Sequence, residues 1–268
     1  MKMKKITGIV SIIAVMVLVL AGCGSGNSGS DSSDANDSSS TSGESYVIAT
    51  DTSFAPFGFT DEEGKASGID IDILDAIAQD QGFSYELKTV GTDEAVKSLV
   101  SGDADGAIAK LSINEDRQKS CDFSDAYYEA GVCAAVKSGS AVSGIDDIRD
   151  NAVAVTKDTD GAAWAESIND QYNLDIQIYD DREEMYDSVI KGDTVACFDD
   201  YPVMAYNILQ DDEMKILERE NDSYTTSYGF AVKKGTNSEL LDKFNKGLAN
   251  IKENGKYEKI IKKYVGKL

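Results

Sequence analysis

Histidine is absent from this chain of 268 residues. Histidine is the usual general base near neutral pH and the commonest metal ligand, so its absence argues against an enzyme and against a metalloprotein. We therefore expect no catalytic residues, no bound metal and no other cofactor.

Cysteine is scarce and is not arranged in pairs. Of the four cysteines, Cys121, Cys133 and Cys197 lie far apart and show no C-x-x-C spacing. This pattern implies neither a metal site nor a disulfide framework. At most one bridge can form among the three, and thiols buried as small apolar side chains are the simpler expectation.

Basic residues are also few, with 26 Lys and Arg against 48 Asp and Glu and a net charge of −22 at pH 7. Non-specific affinity for nucleic acid and for anionic lipid headgroups comes from lysine and arginine. Neither is therefore an expected partner, and the acidic surface favours solubility.

The N-terminus has the layout of a secretory signal peptide, which we assign to residues 1–22. Three lysines precede an apolar run, residues 6–21, that ends in small residues. The run is short for a membrane span, which needs about 20 apolar residues. Its end, Leu20-Ala21-Gly22-Cys23, resembles the bacterial lipobox, which implies a lipid on Cys23 and an anchor at the outer face of the cytoplasmic membrane.

Residues 23–45 are expected to form a flexible tether behind that anchor. From residue 24 the segment contains Gly, Ser, Asp, Asn and Thr and no large apolar residue, so burial cannot offset the entropy of ordering it. The remaining residues, 46–268, are long enough for one large domain or two lobes. They contain no second apolar run of membrane length.

Short β-rich runs alternate with helical patterns in this remaining part, which favours α/β units on largely parallel sheets. The predicted strands are residues 46–50, 84–90, 106–109, 152–156, 176–179, 194–198 and 228–232. The predicted helices, from apolar residues at helical spacing, are residues 70–81, 92–101, 161–170, 182–191, 201–210 and 238–254.

A short internal repeat indicates two lobes of one plan. Ser98-Leu99-Val100-Ser101-Gly102-Asp103 recurs as Ser188-Val189-Ile190-Lys191-Gly192-Asp193, and each copy reads as a helix that ends at a C-cap glycine and leads into a strand. Ligands of open α/β sheets bind beyond the carboxyl ends of strands. Residues 109–112 and 199–200 are therefore expected to face a cleft between the lobes. The alternative is chance similarity.

Side chains of opposite charge follow the two repeated strands. A free amino acid presents a carboxylate and an ammonium, so a dry cleft that holds it must supply a cation and an anion. Arg117, which follows Ser112, suits the carboxylate because a guanidinium can form two parallel hydrogen bonds to it. Asp200 suits the ammonium. The alternatives are a solvated ion pair at Arg117 and a helix N-cap at Asp200.

Several short motifs follow one another along the same part of the chain. They are DTSFAPF (51–57), GIDID (68–72), LSINEDR (111–117), CDFSDAYY (121–128), FDDYPV (198–203), GFAVKKG (229–235) and NG (254–255). Their order and spacing together resemble the family 3 extracellular solute-binding proteins, the amino-acid receptors of ABC importers.

The resemblance implies the type II periplasmic-binding-protein fold, in which two α/β lobes are joined by two crossing strands and close on a ligand like a hinge. The crossings are expected near residues 127–133 and 224–229. Lobe 1 would then comprise residues 46–130 and 227–268, and lobe 2 residues 131–226.

Carried over position by position, the resemblance makes Arg117 and Ser112 contacts of the ligand carboxylate and Asp200 the contact of its ammonium. Ala109 and Leu111, which flank Lys110 in the same loop, are expected at the site.

Three further site residues are implied. Phe54 would form an aromatic wall, Asp51 would reach polar groups of the ligand side chain, and Thr159 would lie in the loop that contacts the carboxylate from lobe 2. A core position for Phe54 and a turn-forming role for Asp51 are the alternatives.

The sequence departs from the family at three places, so its specificity cannot be carried over. Lys110 stands where a small residue is usual, Thr92 stands where an aromatic ring often covers the ligand, and Asp158-Thr159 replaces Gly-Thr. If Lys110 points into the cleft, it would hold an acidic side chain or the far carboxylate of cystine. If it points outward, it is a charge on the rim.

The expected function is that of a monomeric, non-enzymatic receptor that hands a polar amino acid to an ABC permease and its ATPase. The motifs are closest to glutamine and glutamate receptors, with cystine or basic amino acids as other ligands. A lipid anchor serves such a receptor in a Gram-positive type of envelope, where it would otherwise diffuse away. The alternatives are an exported dehydratase on the same fold and a sensory lipoprotein without a transporter.

Overall fold

A computed structural model describes residues 44–157, 159–219 and 224–266. The predicted signal peptide, the predicted lipid on Cys23 and nearly all of the predicted tether lie outside these residues, as does Asp158. Within the described ranges, no helix is both long enough and apolar enough to cross a membrane.

The described residues form a series of strands and helices from Ser45 onward. The strands are β1 (Ser45–Thr50), β2 (Ser53–Phe54), β3 (Gly58–Thr60), β4 (Ala66–Ser67), β5 (Ser84–Thr89), β6 (Gly106–Ala107), β7 (Cys121–Phe123), β8 (Tyr128–Ala130), β9 (Val132–Lys137), β10 (Ala152–Thr156), β11 (Asp175–Tyr179), β12 (Ala196–Asp200), β13 (Met214–Arg219), β14 (Thr226–Tyr228) and β15 (Ala231–Lys233). The helices are α1 (Ile69–Gln81), α2 (Thr92–Ser101), α3 (Glu115–Gln118), α4 (Asp160–Tyr172), α5 (Arg182–Lys191), α6 (Tyr201–Gln210), α7 (Ser238–Glu253) and α8 (Lys256–Val265).

Two five-stranded sheets share one topology, with the strand orders β5-β1-β6-β15-β7 and β11-β10-β12-β9-β13. In each sheet the first three strands are parallel, and the fourth runs antiparallel to both of its neighbours. The two sheets therefore repeat one plan, as the internal repeat predicts.

The repeat itself ends two helices in the same way. Gly102 after α2 and Gly192 after α5 both adopt a left-handed conformation with φ of 87°, which glycine reaches without a steric penalty. The next residue in each copy, Asp103 or Asp193, donates its backbone N–H to the serine five residues earlier. The predicted C-cap glycines are confirmed, and each cap leads the chain into β6 or β12.

A third, two-stranded antiparallel sheet joins β8 to β14, with Tyr128 opposite Tyr228. Along the chain, β8 lies between β7 of the first sheet and β9 of the second, whereas β14 lies between β13 of the second and β15 of the first. These two strands fall within the predicted crossings, so the chain passes twice between the sheets. The exact lobe boundaries remain a prediction.

Aromatic packing fixes these crossing strands against the turn between β2 and β3. Phe57 is buried, and its ring meets Tyr128 and Tyr228 edge-on, with 5.1 Å between ring centroids in both cases. Such pairs contribute about 0.5–1.5 kcal/mol beyond burial alone. Phe54, three residues before Phe57, is thereby held beside the crossing.

The structure differs from the sequence-based expectation at several elements. The single strand predicted at 228–232 is wrong, because β14 belongs to the crossing and β15 to the first sheet. The strand predicted at 106–109 ends at Ala107. The periodicity also missed β7, β9, β13 and α8. β7 has only three residues, and β9 is buried on both faces and so shows no alternation.

Candidate ligand-binding site

A cavity of about 320 Å³ opens where the crossing strands meet the ends of β6 and β12. Its walls combine aromatic, charged and small residues. They are Phe54, Lys110, Ser112, Ala130, Gly131, Val132, Thr159, Asp160, Arg182, Asp200, Tyr224, Thr226 and Tyr228. The lining thus brings together Phe54, Lys110, Ser112, Thr159 and Asp200 from the expected site, but not Asp51, Ala109, Leu111 or Arg117.

The Lys110 side chain points into this cavity. Its ammonium nitrogen lies 3.7 Å from the centroid of the Phe54 ring and 5.6 Å from that of Tyr228, both within the range of cation–π attraction. Burial is the largest influence on the pKa of this ammonium and lowers it, and the Asp200 carboxylate is the strongest influence that raises it. The open question of the direction of Lys110 is answered in favour of the cleft.

A buried carboxylate holds the backbone of Lys110 in place. Lys110 has φ of 51°, a left-handed conformation that is unfavourable for a residue with a Cβ. Its N–H donates to Asp70 at 2.9 Å, and the Tyr127 hydroxyl donates to the other oxygen of the same carboxylate at 2.7 Å. Burial raises the pKa of Asp70 to about 6, although both hydrogen bonds lower it.

Replacing Asp70 with asparagine should remove a pH dependence of stability. The pKa is about 6 in the folded protein against an ordinary value of 3.8, so the folded state holds the extra proton between these values, and stability from this group falls as pH rises through them. Above pH 6, the free energy of unfolding is therefore about 3 kcal/mol lower than it is below the ordinary pKa of 3.8. Urea unfolding of both proteins from pH 4 to pH 7 should show the wild type losing this stability relative to Asp70→Asn; parallel curves would contradict it.

Asp200 lies at the carboxyl end of β12, and its carboxylate is uncommitted, meaning that it accepts no hydrogen bond from the described residues. It occupies the N-cap position of α6, but its side chain makes no capping hydrogen bond. Burial first, and then the nearby Asp199 carboxylate, raise the pKa of Asp200. Lys110 and Arg182 act on this carboxylate in the opposite direction, but neither donates a hydrogen bond to it.

Arg182 is a cavity residue that the sequence did not single out. It begins α5, and its guanidinium donates to both oxygens of Asp199, at 2.7 and 3.3 Å. The Asp199 side chain is only 2% exposed and also accepts from the Tyr186 hydroxyl at 2.5 Å. Asp199 was expected to face the site, but it lies behind Arg182 and neutralises it.

Arg117 lies beside the cavity rather than on its wall. It belongs to the single turn α3, whose N-cap Asn114 accepts from the Arg117 backbone N–H at 2.9 Å. Its guanidinium is half-buried and donates to the Ser112 carbonyl at 3.2 Å. Leu111, directly before Ser112, is buried, and its carbonyl accepts from the N–H of Gly229 at 3.0 Å. The loop is thus tied to the chain directly after β14.

Asp51 is committed to local structure. Its carboxylate accepts from the N–H and hydroxyl of Ser53, at 2.8 and 2.6 Å, and from the N–H and hydroxyl of Thr92, at 3.0 and 2.8 Å. It therefore forms the turn after β1 and also satisfies the start of α2. This geometry matches the turn-forming alternative. The Thr92 hydroxyl proton is shared with the carbonyl oxygen of the buried Ala109, which lies 3.3 Å from the hydroxyl oxygen.

Thr159 lines the cavity as the N-cap of α4. Its hydroxyl accepts from the N–H of Ala162 at 3.2 Å and donates to the carbonyl of Thr156 at 2.7 Å. The donor of this hydroxyl is therefore used within the protein. The backbone N–H groups that open α4 remain the natural anion donors on this wall.

Residues 46–267 match the model of the bacterial extracellular solute-binding proteins, family 3. The chain belongs to this family. It is 31% identical over 225 residues to a Bacillus subtilis ABC transporter glutamine-binding protein, covering 81% of this chain and 79% of that one. It is also 30% identical over 228 residues to a probable histidine-binding protein of Neisseria gonorrhoeae, covering 84% of each.

The family member has the expected type II periplasmic-binding fold. Substrate-binding domain 2 of Lactococcus lactis GlnP, solved in an open conformation, matches with a TM-score of 0.79 and 35% identity, covering 84% of this chain and 96% of that one. The expectation of two α/β lobes is confirmed, with sheets that are mixed rather than largely parallel. The relatives are named for different amino acids, so family membership leaves the ligand of this member open.

Proposed function

We propose that this protein is the extracellular receptor of an ABC importer and binds a polar L-amino acid between its two sheets. The observation that carries the proposal is the uncommitted Asp200 carboxylate, which shares a cavity with Ser112 and Lys110 in a family whose relatives are named for amino acids. Glutamine or glutamate is the favoured ligand, ahead of cystine and the basic amino acids.

The two charged groups of an amino acid find suitable partners around the cavity. Asp200 would receive the ammonium, because it is an anion without a hydrogen-bonding partner among the described residues. Arg117 and Ser112 would receive the carboxylate once the guanidinium turns from the Ser112 carbonyl, which it now contacts at 3.2 Å. Phe54 supplies an apolar wall. Each charge-assisted hydrogen bond contributes about 1.5–3 kcal/mol, so a few of them approach the roughly 8 kcal/mol of a micromolar complex.

Motion about the crossing would complete the site. We assign residues 46–130 and 227–268 to lobe 1 and residues 131–226 to lobe 2. The chain passes between the two lobes through β8 and β14. Closure would bring the walls on either side of the cavity onto the ligand. The protein acts as a monomer and as a binding protein rather than a dehydratase, and a lipid on Cys23 would keep it near the permease and raise its local concentration there.

Calorimetric titration of the purified protein with the twenty standard amino acids and cystine tests this function. We expect at least one polar amino acid to bind with a dissociation constant in the micromolar range or below, about 8 kcal/mol or more. Prephenate and arogenate serve as controls and should neither bind nor be converted to an aromatic product. Binding no tighter than millimolar for every amino acid would rule the proposal out.

A further inference from the structure

The Lys110 ammonium is a cation in the cleft that feels the Asp200 carboxylate only at a distance, without direct contact. Among the described residues it makes no hydrogen bond and no ion pair, and its contacts are the faces of Phe54 and Tyr228. The residue as a whole is half-buried. A half-buried ammonium without an acceptor is unfavourable unless water or a ligand supplies one.

The other charges at the cavity are already assigned. Arg182 is neutralised by Asp199, and Asp160 is exposed to solvent at the mouth. In the empty cleft, Asp200 is the strongest influence that raises the pKa of Lys110. If Asp200 pairs with the ammonium of a bound amino acid, it can no longer balance the charge of Lys110. A neutral ligand side chain leaves Lys110 unpaired, and a cationic one adds a second positive charge beside the same ring.

We propose that Lys110 selects amino acids that carry a second carboxylate and rejects those with a cationic side chain. Its ammonium occupies the face of Phe54, where a cationic side chain would otherwise stack, and presents its N–H donors to an incoming carboxylate. This inference rests on the proposed function, because it assumes that Asp200 receives the ligand ammonium. The second carboxylate belongs to glutamate or aspartate, or is the far carboxylate of cystine.

The competing interpretation is that Lys110 merely fills the empty cleft. In that case its ammonium stands in for the ligand ammonium beside Asp200 and is displaced on binding. Removing the ammonium would then increase the affinity for every amino acid by a similar factor. The selective interpretation instead predicts that its removal weakens dicarboxylic ligands and leaves neutral ones nearly unchanged.

Lys110→Met and Lys110→Arg form a matched pair of variants. Both replacements are unbranched and carry a Cβ, so both meet the same left-handed backbone, whereas only arginine keeps the positive charge. Calorimetric titrations of the wild type and both variants should use glutamate, aspartate, cystine, glutamine, lysine and arginine. Melting temperatures of the three proteins check that each is folded.

In the wild type we expect glutamate, aspartate or cystine to bind at least tenfold more tightly than glutamine, and lysine and arginine more weakly still. Lys110→Met should lower the affinity for the preferred ligand by about ten- to a hundredfold, as expected for the loss of a charge-assisted hydrogen bond. The affinity for glutamine should change less than threefold. Lys110→Arg should retain the preference.

Two results would overturn the inference and leave the proposed function intact. One is a wild-type protein that binds lysine or arginine as tightly as glutamate. The other is a Lys110→Met variant whose affinities for glutamate, glutamine and lysine all shift by the same factor. If the wild type binds no amino acid, the proposed function fails first and the inference falls with it.

Discussion

Replacing Arg182 with methionine should lower the free energy of unfolding by about 3–5 kcal/mol, the usual effect of removing one partner of a buried ion pair. The Asp199 side chain is 2% exposed, and Arg182 is 29% exposed. Without the guanidinium, the Asp199 carboxylate keeps only neutral donors, the Tyr186 hydroxyl and the Asp200 N–H. Urea unfolding at pH 7 measures the loss.

An exposed ion pair provides the matched control. The Lys119 ammonium nitrogen lies 2.6 Å from a carboxylate oxygen of Asp116, and the two side chains are 75% and 90% exposed. Such exposed pairs contribute about 0–1 kcal/mol to the free energy of unfolding. Lys119→Met should therefore change stability far less than Arg182→Met. In the double variant Arg182→Met/Asp199→Asn both charges are gone, so most of the loss should be recovered. If Arg182→Met loses no more stability than Lys119→Met, the pair does not stabilise the fold.

The repeated architecture could be predicted because its signals are local. A glycine that ends a helix and the strand that follows it are encoded within about ten residues, and the two copies after α2 and α5 fold alike. The position of Asp200 at a strand end follows from the same pattern. The pattern placed the ends of β6 and β12 to within two residues, at the sheet edge where polar side chains gather.

The partners of those side chains could not be predicted, because they come from distant parts of the chain. The carboxylate that holds the Lys110 backbone belongs to Asp70, 40 residues earlier, and Asp51 reaches Thr92 across 41 residues. Nothing in the local sequence distinguishes Asp51, which is used for a turn and a helix start, from Asp200, which remains uncommitted. Arg182 was missed because it reads as an ordinary first residue of a helix.

Asparagine in place of Asp200 should abolish most ligand binding without destabilising the protein. Loss of one partner from a buried charge pair typically costs about 2–5 kcal/mol, so affinity for the preferred amino acid should fall about thirtyfold or more. The unliganded protein should be at least as stable, because the raised pKa of Asp200 shows that folding disfavours its charged form, and this unfavourable contribution at neutral pH disappears with the charge.

These two effects together separate a binding role of Asp200 from a structural one. Calorimetry gives the affinity, and urea unfolding at pH 7 gives the stability of the same preparation. Glu63→Gln removes an exposed acidic charge in the turn between β3 and β4, where the side chain is 74% exposed, and should change neither quantity appreciably. A variant that is destabilised and still binds would mean that Asp200 supports the start of α6. If Asp200 binds the ligand ammonium, we expect a stable variant that no longer binds amino acids.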